Sequence, residues 1–288
     1  MSFYASFYEK LQAAWQRQGS MLCIGLDPQQ ANLPTELQTR TDGYFAFCKA
    51  IVDATHDTVC AYKPQAAHFA ARGYEDQLAQ VVAYIKTTYP HIPVILDAKR
   101  GDVGSTAIFY AMEAYERYDA DAVTVSPYLG YESVAPYLQY ADRGVVVLCR
   151  TSNAGSGWLQ NYPPDDVPIY QRVAAEVAAW NDNQQCMLVT GATYPEELGK
   201  VREIVGDMPL LVPGVGAQGG NVAEVVRHGS DSNGFGLVIS SSRNIIFARQ
   251  EGETAGRAHG NAAGVEDFAA AARKKAIELQ AELSNKSG

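Results

Sequence analysis

The chain has 288 residues, 47% of them hydrophobic, with 23 basic against 32 acidic side chains and a net charge of −9. That length suits one α/β barrel of roughly 250 residues, and it allows a large core without disulfides or a structural metal. The acidic balance argues against a general nucleic-acid-binding surface, although a local anion site needs only a few N–H groups and a cation or two.

The N-terminal stretch MSFYASFYEKLQAAWQRQG has an amphipathic helical pattern and lacks the basic start and apolar stretch of a signal peptide. With no run of about 18 apolar residues, no membrane span is expected, and the cytoplasm is the expected location. Eight short apolar runs follow, at 21–27, 58–63, 92–99, 121–126, 144–150, 185–190, 208–213 and 235–240. Most are continuous rather than alternating, which is how strands read when helices cover an all-parallel sheet. Helical patterns fill the gaps, examples being 43–55, 75–89, 105–118, 169–182, 195–206 and 219–229, with the last at 265–284. The rhythm is eight strands, each followed by a helix, with no linker and no second domain. It predicts a single (β/α)8 TIM barrel over 1–288 with an extra N-terminal helix, in preference to an open sheet.

Five cysteines, an odd number with no CxxC pair, read as buried free thiols in a reducing compartment. Two loops are unusually long, 151–168 and 249–264. Loops of that length are functional or disordered, and the first sits where a lid over a barrel mouth would sit.

Charged residues collect at the C-terminal ends of the first three strands, the rim where barrels place their sites. The first strand ends in Asp27, the second in Lys63, and the third in Asp97-Ala98-Lys99 followed by Arg100-Gly101-Asp102. Two residues apart on a strand, Asp97 and Lys99 are expected on the same side, with Ala98 facing the helices. Buried there, these charges are costly unless paired. Asp27, Lys63, Asp97, Lys99 and Asp102 are therefore expected to satisfy one another, and Arg100 is expected to be solvated or to anchor the loop. The five histidines are scattered, without HExxH, and no metal constellation stands out.

The seventh strand runs into PGVGAQGG (213–220). Gly214, Gly216 and Gly219 match GxGxxG, but a dinucleotide fingerprint belongs to a first βα unit with an acidic residue about 20 positions on, which is missing here. Position favours a phosphate site instead, since loops after strands seven and eight hold phosphate in such barrels. The glycines would admit the anion, the next helix would add its dipole, and Arg243 would grip through two nitrogens.

The run Asp97-x-Lys99-x-x-Asp102-Val103-x-x-Thr106 resembles the DxKxxD-I/V-xxT signature of orotidine 5′-monophosphate decarboxylases, and LDAKRGDVGSTA (96–107) is similar to their longer-chain bacterial subgroup. IGLDP (24–28), YKPQ (62–65), RTSNAGS (150–156), PGVGAQGG (213–220) and SSRNI (241–245) resemble that family in the same order. SSRN departs from the Gly-Arg-Ser order of many members, which bears on the backbone donors beside Arg243. The resemblance implies decarboxylation of orotidine 5′-monophosphate to UMP without a cofactor or metal. It implies that Asp27 binds the ribose hydroxyls and that Lys63 bridges ribose and the charged array. Asp97 and Lys99 would lie beside the carboxylate and C6 of the pyrimidine. Asp102 and Thr106 would reach into the partner subunit's site of a homodimer. Ser152 would touch the pyrimidine, Gln218 would span pyrimidine and phosphate, and Arg243 would hold the phosphate. The alternatives are a Mg2+-dependent sugar-phosphate decarboxylase or synthase of the same superfamily, a Schiff-base aldolase using Lys99 or Lys63, and a non-catalytic nucleotide-binding module.

Overall fold

The computed structural model describes residues 4–215, 220–248 and 265–284. Ser6 starts helix α1 (Phe7–Gln18) by accepting the Glu9 N–H at 3.2 Å, and Gly19 ends it at φ 54°, where a side chain would be strained. The helix buries Phe7, Leu11, Ala14 and Trp15, one face of the predicted amphipathic pattern. That face closes the N-terminal end of the barrel. The Trp15 indole donates to the Leu237 carbonyl at 2.9 Å, the Tyr8 hydroxyl to the Cys186 carbonyl, and Lys10 pairs with Asp121 at 2.9 Å.

All eight predicted strands form: β1 (Leu22–Leu26), β2 (Ala61–Pro64), β3 (Ile95–Arg100), β4 (Ala122–Val125), β5 (Gly144–Arg150), β6 (Cys186–Thr190), β7 (Leu210–Pro213) and β8 (Leu237–Ser241). They are parallel and ordered β2-β1-β8-β7-β6-β5-β4-β3. Between β2 and β3 the barrel is joined only by bridges, Tyr62 to Val94 and Gln65 to Asp97, with the Tyr62 N–H on the Pro93 carbonyl at 3.0 Å. Seven of the strands are buried along nearly their whole length, which accounts for their continuous apolar runs. β3 alone turns from buried Ile95–Asp97 to partly exposed Ala98–Arg100.

Helices α2 (Gly43–Thr55), α3 (Glu75–Thr88), α4 (Gly104–Met112), α5 (Ile169–Ala179), α6 (Pro195–Val205), α7 (Val222–Gly229) and α8 (Val265–Ser284) surround the sheet. The predicted helix at 105–118 is α4 continued by a π-helical turn, Glu113–Arg117. The fourth unit carries only a 3-10 turn, Tyr131–Ser133, and a four-residue helix, Ala135–Leu138. Loop 151–168 is partly folded, with a 3-10 turn at Ala154–Ser156 and a short helix at Gly157–Gln160, while 249–264 lies outside the described residues. No described helix is long and apolar enough to cross a membrane.

The five cysteines are free and buried. Burial pushes the Cys23, Cys149 and Cys186 thiols up to about 12.

Candidate active site

The third strand carries the centre of the site. The Asp97 carboxylate takes Lys63 Nζ on Oδ2 at 2.6 Å and Lys99 Nζ on Oδ1 at 2.5 Å. The Thr124 hydroxyl of β4 lies 3.0 Å from the same Oδ1. Lys63 and Asp97 are buried, whereas the Lys99 side chain is 47% exposed. Burial alone would raise the Asp97 pKa, but Lys63 and Lys99 outweigh it and hold the carboxyl well below its ordinary value. For Lys63 burial works to lower the value, and Asp97 and Asp27 outweigh it, so the ammonium is held above its ordinary value.

Asp97 and Lys99 meet, but not through the regular pleat that their spacing suggested. The β3–β4 register slips between Leu96 and Arg100, and Lys99 has φ 47°, in the left-handed region. A non-glycine residue held there costs about 1–3 kcal/mol and persists only where its surroundings enforce it. A bulge, rather than alternation, turns Lys99 toward Asp97.

Asp27, just past β1, is half-buried. Its Oδ2 accepts the Ser242 hydroxyl at 2.6 Å, and its buried Oδ1 has no hydrogen-bond partner among the described residues. Gly25 permits this contact, because a Cβ there would stand 2.8 Å from the Ser242 Cβ. Arg243 follows at the start of a short helix, Arg243–Ile246, exposed and without an acidic partner among the described residues. The loop after β7 closes at its base, where Val215 bridges Gly220 and the Gly220 N–H donates to the Gly214 carbonyl at 3.2 Å. Its tip, including Gly216, Gln218 and Gly219, lies outside the described residues.

Residues 20–258 match the sequence model of the "Orotidine 5'-phosphate decarboxylase / HUMPS family". The chain belongs to this family. A relative named orotidine 5'-phosphate decarboxylase from Ralstonia pickettii (strain 12J) is 56% identical over 279 residues, covering 96% of this chain and 98% of the relative. Another of that name, from Janthinobacterium sp. (strain Marseille), is 54% identical over 276 residues, covering 96% and 97%. The solved structure of Leishmania donovani OMP decarboxylase matches at a TM-score of 0.81 and 34% identity, over 98% of this chain and 99% of that one. These relatives bear the decarboxylase name, and nothing among them favours the sugar-phosphate alternative.

Not every charge expected at the rim joins the array. Asp102 does not pair with Lys63 or Lys99 of its own chain. Its Oδ1 accepts the Val103 N–H at 2.8 Å, and Thr106 is exposed on α4. At the start of α7, after β7, the Asn221 side chain caps the helix by accepting the Ala223 and Glu224 N–H groups. Arg100 does anchor its loop, with paired bonds to Glu113 at 2.9 and 3.0 Å and its guanidinium over the Tyr110 ring. Among the described residues, no three His, Cys, Asp or Glu side chains are grouped to hold a metal ion.

Ser152 is half-buried beyond β5, its carbonyl accepting the Thr193 hydroxyl at 3.1 Å. A Cβ on Gly191 would stand 2.6 Å from the Ser152 Cα, so a glycine is required for the approach. Sequence reasoning missed what holds this loop. Arg150, 1% exposed, pairs with Glu197 of α6, donates to Ser156, to Gln160 at 3.2 Å and to the Thr151 carbonyl at 3.0 Å, and lies over the Tyr194 ring. An arginine closing an otherwise apolar strand was the available signal. Thr124, a polar residue inside the run AVTV, was a fainter signal of the same kind.

Proposed function

We propose that this protein decarboxylates orotidine 5′-monophosphate to UMP and CO2, the last step of de novo UMP synthesis, with the whole chain acting as one barrel domain in the cytoplasm. The observation that carries this reading is the Lys63–Asp97–Lys99 chain at the strand ends, in a member of this family.

Loss of CO2 breaks the bond from C6 to the carboxylate carbon and leaves the electron pair on C6, in an sp2 orbital that the ring delocalises poorly. A fixed cation beside that carbon stabilises it. Lys99 supplies the ammonium and then transfers its Nζ proton to C6. Asp97, kept ionised by its two lysines, holds Lys99 Nζ in place before transfer. Lys63 holds Asp97 from the other side and lies toward Asp27, whose unpartnered Oδ1 suits a ribose hydroxyl. Ser152 contacts the pyrimidine, Arg243 grips the phosphate, and Gln218 spans the two. Phosphate binding far from C6 supplies energy for closing the site around the reacting carbon.

The working unit in this reading is a homodimer. Asp102 and Thr106 leave their own site and reach the partner's. The surface around them is apolar and exposed at Val103, Ile108, Phe109, Tyr128 and Leu129, which supports a contact there. Mixing Lys99→Ala with Asp102→Ala subunits restores one intact site per heterodimer, so activity returns if sites are shared and stays absent if they are not.

The decisive test follows the ultraviolet absorbance of orotidine 5′-monophosphate with purified protein in EDTA, beside Lys99→Ala. Conversion by wild type alone is the expected result. Absence of conversion by folded wild type, with activity on sugar phosphates and Mg2+, would sink the assignment.

A further inference from the structure

The strained turn at Lys99 and the ion pair it makes share one atom on a neighbouring strand. The Thr124 hydroxyl oxygen accepts the Ala98 N–H at 3.0 Å and the Lys99 N–H at 2.9 Å, and it lies 3.0 Å from Asp97 Oδ1. A hydroxyl has two acceptor lone pairs and one proton. Both lone pairs face amides, so the proton has one place to go, and Thr124 donates to Asp97. The Oδ1 it meets is the oxygen that holds Lys99 Nζ at 2.5 Å. Thr124 is 1% exposed, out of reach of solvent.

We propose that Thr124 is a positioning residue for the reaction. It receives the two amides at the bulge, keeps Lys99 in its left-handed backbone, and aims Asp97 Oδ1 at Lys99 Nζ. This rests on the reading of Lys99 as the cation and proton donor. With every valence of its hydroxyl used inside the protein, Thr124 offers no bond to a ligand. It therefore acts on the chemical step rather than on substrate affinity.

Valine matches threonine in shape and lacks the hydroxyl, leaving two part-buried amides and one buried carboxylate oxygen each short of a partner. Misplacing a catalytic group by about 1 Å costs up to about 100-fold in rate. Thr124→Val is expected to lose about that much kcat, with KM for orotidine 5′-monophosphate and calorimetric affinity for UMP near wild type. Thr124→Ser keeps the hydroxyl and is expected to restore kcat. Thr124→Cys preserves volume with a weak acceptor and is expected to fall between them, so the question stays answerable if the valine variant does not fold. Unchanged kcat in a folded Thr124→Val or in Thr124→Cys overturns the proposal, as does a loss carried wholly by KM. Wild type and Lys99→Ala are run alongside. An inactive wild type or a fully active Lys99→Ala overturns the reading of the site itself. An active wild type and a dead Lys99→Ala, with Thr124→Val and Thr124→Cys at full kcat, overturn only the role of Thr124.

Discussion

The two ends of this barrel are both built from lysines and aspartates, and they behave in opposite ways. At the N-terminal end Lys10 meets Asp121 at 2.9 Å, Lys86 reaches Asp119 at 3.0 Å and Asp121 at 3.3 Å, and Arg143 pairs with Asp119 at 2.8 Å. Asp121 also accepts the Val94 N–H, so its carboxylate is shared among strand and helices. Burial lowers the Lys10 pKa, Asp121 opposes this, and nearby Lys86 and Arg143 push the same way as burial. At the mouth, Lys63 is as deeply buried but faces two carboxylates, and its pKa goes up. The N-terminal network encloses Lys10 and Asp121, leaves Asp119 exposed but doubly paired at its outer edge, and docks α1. The mouth leaves Lys99 half-exposed and Asp27 Oδ1 unpartnered. Incomplete satisfaction, not charge itself, marks the functional end.

Exchanging the roles of the two ends is the strongest way to break that contrast. Lys99→Ala should reduce turnover by at least about 1,000-fold while changing stability by less than about 1 kcal/mol, because the side chain is half-exposed. Lys10→Met should leave kcat intact and lower stability by about 3 kcal/mol, the low end for breaking a buried pair, since Lys86 still reaches Asp121. Urea unfolding beside steady-state kinetics checks both, and a kinetic defect in Lys10→Met would undo the division. Next in size, Arg243→Ala should cost about 10- to 100-fold in kcat/KM, mostly through KM, as expected for a charge-assisted grip remote from C6.

The smallest effect lies in the pH dependence of stability. Asp97 is lowered in the folded state, so its contribution is present above the ordinary carboxylate value and is lost as pH falls toward its folded value. Lys63 is raised, so its contribution is present below the ordinary lysine value and is lost as pH rises through the folded one. Lys10 is lowered, so stability rises with pH between its folded and ordinary values, the opposite sign. In urea melts from neutral to alkaline pH, the stability gap from wild type should therefore narrow for Lys63→Met and widen for Lys10→Met. Parallel curves would show that the two lysines do not differ.

Much of this was legible in the chain. The runs MLCIGLD and GVVVLCR read as strands because burial on both faces demands continuous apolar residues. Asp27, Lys63, Asp97 and Lys99 read as rim residues because each follows or ends such a run. Asp102 stood in the same pattern and was expected among the paired charges, yet it turns to its neighbour's amide. Nothing local separates it from Asp97, since the difference lies in where the chain leaves β3. Arg150 and Thr124 stand out only as polar residues in apolar runs, because their meaning is in their partners: Glu197 lies 47 residues from the first, and Asp97 lies 27 from the second.

By itself, then, the sequence determined the number and order of the strands, the helix that closes the N-terminal end, and the charged residues delivered to the rim. These follow from periodicity and from the cost of burying charge, which act over a few residues. Only the tertiary structure decided which charges meet, that a bulge rather than a pleat turns Lys99 to Asp97, and that one threonine hydroxyl joins that bulge to the ion pair. Those are distances between strands set by barrel closure and register, and no short-range pattern encodes them.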